Sequence, residues 1–124
     1  MSILDQFKLN DQVAIVTGGA QNLGRQHALA LAEAGADIAL CDLAEEAGLA
    51  TKAEIEKLGR RAWFRKVDVA QPAQIEDFIA EILVQTGRID ILVNNAAIPS
   101  EGIALHDVSD DQWRRIIDIN LSSL

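Results

Sequence analysis

Four short apolar runs, at residues 12–17, 37–41, 61–67 and 89–93, alternate strictly with stretches that carry apolar residues at helical spacing. This alternation constrains the fold more than any other feature of the chain. Parallel strands joined through a helix need a right-handed crossover, and the helices then cover the sheet. The first three helical stretches, 23–34, 45–58 and 72–86, are each followed by a glycine, at Gly35, Gly59 and Gly87. A glycine just past the last helical residue is a normal stop signal. Within 72–86, Ile75, Phe78, Ile79, Ile82 and Leu83 share one face and are expected in the core. A loop over 96–108, punctuated by Pro99 and Gly102, follows the fourth strand. Ser109 and Gln112 then have capping-box spacing, and Trp113, Ile116, Ile117, Asn120 and Leu121 form one stripe of a last helix. The expected class is α/β, a parallel sheet covered on both faces, with one domain over 1–124.

Ligands of such sheets bind outside the carboxyl ends of the strands. Four segments follow strand ends here: 17–24, Asp42, Asp68 and 94–97. Residues 17–24 read Thr-Gly-Gly-Ala-Gln-Asn-Leu-Gly, a glycine turn from a buried strand into a helix. A helix N-terminus offers unpaired N–H groups and a positive dipole end, so this turn is suited to holding phosphate. Gly19 and Gly24 have the spacing of a nucleotide-hydrolase phosphate loop, but Arg25 and Gln26 stand where its lysine and hydroxyl belong. The common dinucleotide pattern needs a glycine where Gln21 stands.

Net charge is −8 and Lys and Arg form no cluster, which argues against nucleic acid and anionic membrane as partners. Residues 1–11 lack an apolar core of signal-peptide length, and no apolar run reaches membrane-spanning length. Cys41 is the single cysteine and has no internal partner, so a reduced, cytoplasmic setting is expected. Inside an apolar strand it reads as inert core. His27 and His106 lack ligand-spaced partners, and no metal site is expected. Trp63 and Trp113 read as packing residues, and Trp113 is also suited to face a partner subunit.

The motif Thr17-Gly18-x-x-x-Asn22-x-Gly24 resembles the Thr-Gly-x-x-x-Gly-x-Gly of short-chain dehydrogenases/reductases. Residues 94–97, Asn-Asn-Ala-Ala, are similar to that family's Asn-Asn-Ala-Gly. Asp68-Val69 resembles its adenine-binding Asp-Val pair, and Asn120 within Asp-Ile-Asn-Leu resembles its helix asparagine. There are two departures. Asn22 replaces the middle glycine, and asparagine tolerates the left-handed backbone the turn needs. Ala97 replaces the last glycine of the second motif and is expected to narrow the floor of the cleft. A glycine at Gln21 would have pointed to the extended, epimerase-like relatives.

The resemblance implies a Rossmann-type sheet and a nicotinamide cofactor. Gly18, Gln21, Asn22, Leu23 and Gly24 would meet the pyrophosphate. Asp42, followed by Leu43, would accept hydrogen bonds from the adenosine ribose, favouring NAD over NADP because a carboxylate repels a 2′-phosphate. Its bland alternative is a helix-capping or turn aspartate. Asp68 and Val69 would hold adenine, the alternative being a helix-start aspartate. Asn95, Ala96 and Ala97 would lie beside the cofactor ribose, whereas Asn94 is expected to tie strands together. Asn120 lies on an apolar stripe, so its amide needs a specific partner, and burying it unpaired would cost about 1–3 kcal/mol. The resemblance implies that it supports a proton relay through a water and a catalytic lysine; a satisfied core asparagine is the alternative.

The implied chemistry is hydride transfer between nicotinamide and a small alcohol or carbonyl, with a tyrosine, lysine and serine at the substrate. The chain contains no tyrosine. It reads as the N-terminal, cofactor-binding half of a longer dehydrogenase, with an unpaired sheet edge at the fourth strand and with homo-oligomers expected for the complete protein. A non-catalytic NAD-binding module, and a structural fragment that needs a partner chain, are the alternatives. The substrate is not legible.

Overall fold

The computed structural model describes residues 1–99 and 102–124. Strands β1 (Val13–Thr17), β2 (Asp37–Asp42), β3 (Ala62–Lys66) and β4 (Ile91–Val93) form one parallel sheet in the order β3-β2-β1-β4. Helices α1 (Asn22–Glu33), α2 (Glu45–Lys57) and α3 (Pro72–Thr86) make the crossovers, and α4 (Asp110–Ile117) follows β4. Two positions of the expected 96–108 loop, 100 and 101, lie outside the described residues. Thr17 stands opposite Cys41, Asp42 opposite Lys66 and Val16 opposite Val93. The strand ends therefore lie along one edge.

Alternation along the strands divides the core into two layers. On one side Ala14, Val16, Ile38 and Leu40 meet Ala28 and Ala32 of α1 and Ile55 of α2. Val13, Ile15, Ala39, Cys41 and Val67 face the other way and meet Phe78 and Ile82 of α3. Burying a side chain such as Ile82 or Leu40 completely stabilises the fold by about 1.5–3 kcal/mol. Burial also raises the Cys41 thiol pKa to about 12, with the Asp42 charge contributing, so the thiol is inert at neutral pH.

The expectation of a sheet covered on both faces holds for β1 and β2 and in part for β3, whose Ala62 and Phe64 meet one layer and Trp63 the other, but fails on one face of β4. Ile79 and Leu83 of α3 are 37% and 45% exposed, and Leu92 of β4 is 56% exposed. The helix lies over the β1 and β2 side chains and leaves the face beside β4 bare among the described residues. An apolar helical face is buried only as far as a neighbouring layer extends, which periodicity cannot reveal.

One charge is deeply buried. Asp37 opens β2 at 2% exposure and accepts from the Arg61 backbone N–H at 3.0 Å and its Nε at 2.9 Å. The guanidinium groups of Arg60 and Arg61 lie 2.9 and 2.8 Å from its oxygens. Arg61 in turn stacks over the Trp63 ring at 5.2 Å, which supports the packing role read for that tryptophan. Burial alone would raise the Asp37 carboxyl, but the Arg61 hydrogen bonds and the two arginine charges outweigh it and hold it below the ordinary value. A depressed folded-state pKa means that this stabilisation is complete above the unfolded value, about 4, and is lost as pH falls through the folded one. Replacement Asp37→Asn should therefore cost about 2 kcal/mol in urea unfolding at pH 7. The loss should begin to shrink below about pH 4, where the unfolded carboxylate takes up its proton, and vanish only below the lower folded-state value, where the parent carboxylate is protonated too.

Candidate functional site

Thr17 ends β1, and its hydroxyl oxygen accepts from the backbone N–H groups of Asn95 at 3.1 Å and Ala96 at 3.0 Å. The same hydroxyl donates to the Val93 carbonyl at 3.4 Å. One side chain thus fixes the segment after β4 against the start of the glycine turn. Asn95 adds a second tie, donating from Nδ2 to the Gly18 carbonyl at 3.1 Å. The tie expected of Asn94 is therefore made by Asn95. Asn94 is exposed on the opposite side, beside Ile15, Cys41 and Leu92, because successive residues leaving a strand point to opposite faces.

The turn into α1 uses left-handed backbone at Gly18, with φ +62°, and at Asn22, with φ +53°. Asparagine replaces the expected glycine without loss of the turn. A Cβ on Gly24 would lie 2.0 Å from the Gly18 carbonyl oxygen and 2.6 Å from Asn95 Nδ2. Its glycine is explained by this close packing under the turn. No side chain caps the first turn of α1, which begins after Gln21 and carries no acidic residue. Its N-terminal N–H groups are left open toward the cleft.

Asp42, the last residue of β2, accepts from the Ala20 N–H through Oδ2 and from the Ala44 N–H through Oδ1, both at 3.1 Å. Buried Thr51 of α2 donates to the Ala20 carbonyl at 2.8 Å. Ala20 is thus held at both of its backbone groups. Asp68 accepts from the Ala70 N–H at 3.0 Å through Oδ1 and from Arg115 Nη1 of α4 at 3.0 Å through Oδ2. A carboxylate has about four acceptor positions, so Asp42 and Asp68 each keep capacity for a ligand's hydroxyl or amino groups.

Gly18, Gln21, Asn22, Leu23, Asp42, Leu43, Asp68, Val69, Asn95, Ala96 and Ala97 line one cleft of about 320 Å³. Gly24 lies beneath it and Asn120 outside it. Val67, Ile98 and Ile119 also line it and were not anticipated. Val67 and Ile98 adjoin motif residues, so strand register could have found them. Ile119 carried no signal. The last helix opens into a π-helical turn over Asp118–Ser122, which shifts the facing of the residues after α4. Ile119 is buried, while Asn120, expected inside on the apolar stripe, is exposed. Asn120 nevertheless has the specific partner its amide called for. Its Oδ1 accepts from the Ile98 N–H at 2.8 Å and its Nδ2 donates to the Ile98 carbonyl at 2.9 Å. The Ser109–Gln112 capping box is formed, and no group of three metal-binding side chains occurs among the described residues.

The cleft therefore joins an uncapped helix N-terminus to two carboxylates, with no lysine or arginine in its lining among the described residues. That donor and acceptor set suits a phosphate-bridged ligand bearing hydroxyl groups.

The family model described as short chain dehydrogenase matches residues 12–124. A cyclopentanol dehydrogenase from Comamonas sp. is 38% identical over 94% of this chain and 46% of its own length. Two solved structures are also similar. Carveol dehydrogenase from Mycobacterium avium in complex with NAD has a TM-score of 0.89 and 32% identity, over 94% of this chain and 46% of that one. A metagenomic short-chain oxidoreductase in complex with NADP has a TM-score of 0.88 and 33% identity, over 93% and 52%. The chain spans about half the length of the curated relatives it matches.

Replacing Thr17 by valine keeps the shape but leaves two N–H groups without their acceptor. Stability should fall by about 2 kcal/mol in denaturant unfolding, and the Asn95 and Ala96 amides should exchange hydrogen faster.

Proposed function

The chain belongs to the short-chain dehydrogenase family, and on that premise we propose that it carries the NAD site of an oxidoreductase interconverting a small alcohol and its carbonyl. The observation that carries this reading is the cleft itself, with an uncapped helix N-terminus, a glycine turn and Asp42 along one strand edge. The open N–H groups of α1, beside Gly18, Gln21, Asn22 and Leu23, take the pyrophosphate, with Gly24 letting the turn close beneath it. Asp42 accepts from the adenosine ribose hydroxyls. Asp68 and Val69 border the adenine, and Asn95, Ala96 and Ala97 the ribose on the β4 side. Bound nicotinamide supplies the hydride chemistry. Asn120 acts by holding the backbone of Ile98 at the cleft wall and so supports the reaction through position.

The preference for NAD rests on charge. Among the described residues two carboxylates and no cation line the cleft, and Arg25 in the first turn of α1 is engaged by Glu54, with Nε 3.0 Å from Oε1. A 2′-phosphate would meet Asp42 with nothing to neutralise it. One solved relative holds NAD and another NADP, so in this reading the preference comes from the Asp42 charge and not from the fold.

A second reading is an NAD-binding module without catalysis, in which the groups that line the cleft hold the cofactor and do no more. A third reading is a structural piece whose apolar face beside β4, with Leu92 exposed, is covered by a partner chain. A homo-oligomer would suit α4, where Trp113 is 53% exposed. No helix among the described residues is long and apolar enough to cross a membrane. A cytoplasmic setting is part of the proposal and rests on the free, buried Cys41.

Calorimetric titration tests the site. NAD should bind at least about tenfold tighter than NADP, and Asp42→Asn should narrow that gap while keeping one side-chain oxygen for the Ala20 or Ala44 N–H. Tighter NADP binding by the parent protein would sink the cofactor assignment. Absorbance of NADH with alcohols present separates the readings: binding without hydride transfer identifies the module.

A further inference from the structure

Helix α4 and the π-helical turn after it give the cleft no polar lining side chain among the described residues, yet together they are bonded to both of its walls. Arg115 reaches Asp68 at the end of β3, and Asn120 grips the Ile98 backbone after β4. The Asn120 bonds belong to the site already described. The Arg115 bond has no role there, and it joins residues 47 apart in sequence.

The sheet order gives that bond a direction. With the pyrophosphate at α1 and the first ribose at Asp42, the adenosine half runs toward β2 and β3, and its base comes to rest where β3 ends. Asp68 stands there, with a side chain about one-fifth exposed. Its Oδ1 bond to the Ala70 N–H is a local turn bond that by itself leaves the second oxygen undirected. The guanidinium of Arg115 supplies the missing constraint, holding Oδ2 at 3.0 Å. Gln74 fixes the backbone beneath, its Oε1 accepting from the Asp68 N–H at 2.8 Å. The carboxylate plane is then set by one local backbone N–H and one guanidinium from a distant element, with acceptor capacity left on each oxygen.

We propose that Arg115 is a positioning residue for the adenine end of the cofactor, holding the Asp68 carboxylate in the orientation that accepts the exocyclic amino group. This rests on the NAD reading above. The residue has a half-exposed side chain on α4, so its replacement removes little packing.

Titration of the whole protein with NAD and with nicotinamide hypoxanthine dinucleotide, which carries an oxo group in place of the adenine amino group, tests the inference. Arg115→Ala should weaken NAD about fivefold and change the hypoxanthine analogue by less than about twofold. Arg115→Lys should recover part of the loss. The double variant Arg115→Ala/Asp68→Asn should bind NAD no more weakly than Asp68→Asn alone, because both changes remove one interaction. Equal losses for the two dinucleotides, additive losses in the double variant, or a lowered unfolding midpoint with unchanged NAD affinity would each reduce Arg115 to a structural ion pair and overturn the inference. If the unaltered protein binds neither dinucleotide, the NAD reading fails and this inference with it. Normal NAD binding by both the parent protein and Arg115→Ala overturns the inference alone.

Discussion

The cleft depends on the joining of two strand ends by a single hydroxyl. Strands β1 and β4 are neighbours in space but far apart in sequence, and β4 is only three residues long. Backbone pairing of so short a strand sets its register weakly. Thr17 reinforces it by offering one oxygen to two consecutive N–H groups beyond the strand, and Asn95 returns a bond to the Gly18 carbonyl. The glycine turn and the segment after β4 are thereby fixed relative to each other, which makes them walls of one cleft.

The opposite end of the sheet is organised by charge. Asp37, buried at the start of β2, gathers Arg60 and Arg61 just before β3. A buried carboxylate is tolerable only when such partners surround it, so this cluster constrains the pairing of β2 with β3 while the apolar layers supply most of the stabilisation. Carboxylates at the other end of the strands do different work. Asp42 and Asp68 use part of their acceptor capacity to hold local backbone and keep the remainder open to the cleft. The turn-aspartate and ligand-binding readings of these residues are therefore compatible, since the bonds that hold each carboxylate also orient it.

Much of this was legible in the chain. The alternation of apolar runs and glycine-ended helices identified four strands and their crossovers, because those signals are local. The turn at 17–24 and the capping box at Ser109 were equally readable, since each is defined by a few neighbouring residues. Asn94 and Asn120 were read less well. Adjacent asparagines differ only in which face of the sheet each meets, and that is set by where β4 ends. Asn120 was read on an apolar stripe because helical spacing was carried through Asp118, where the helix widens instead.

By itself the sequence determined the class of fold, the glycine turn into α1 and the family, because strand and helix periodicity and short motifs act over a few residues. Tertiary structure decided which of those residues share a cleft, which side chains hold others in place, and which apolar faces are covered. Thr17 with Ala96, Asp42 with Ala20 and Arg115 with Asp68 are pairings across elements. Distance in space, set by strand order and register, created them, and no local pattern in the chain encodes that distance.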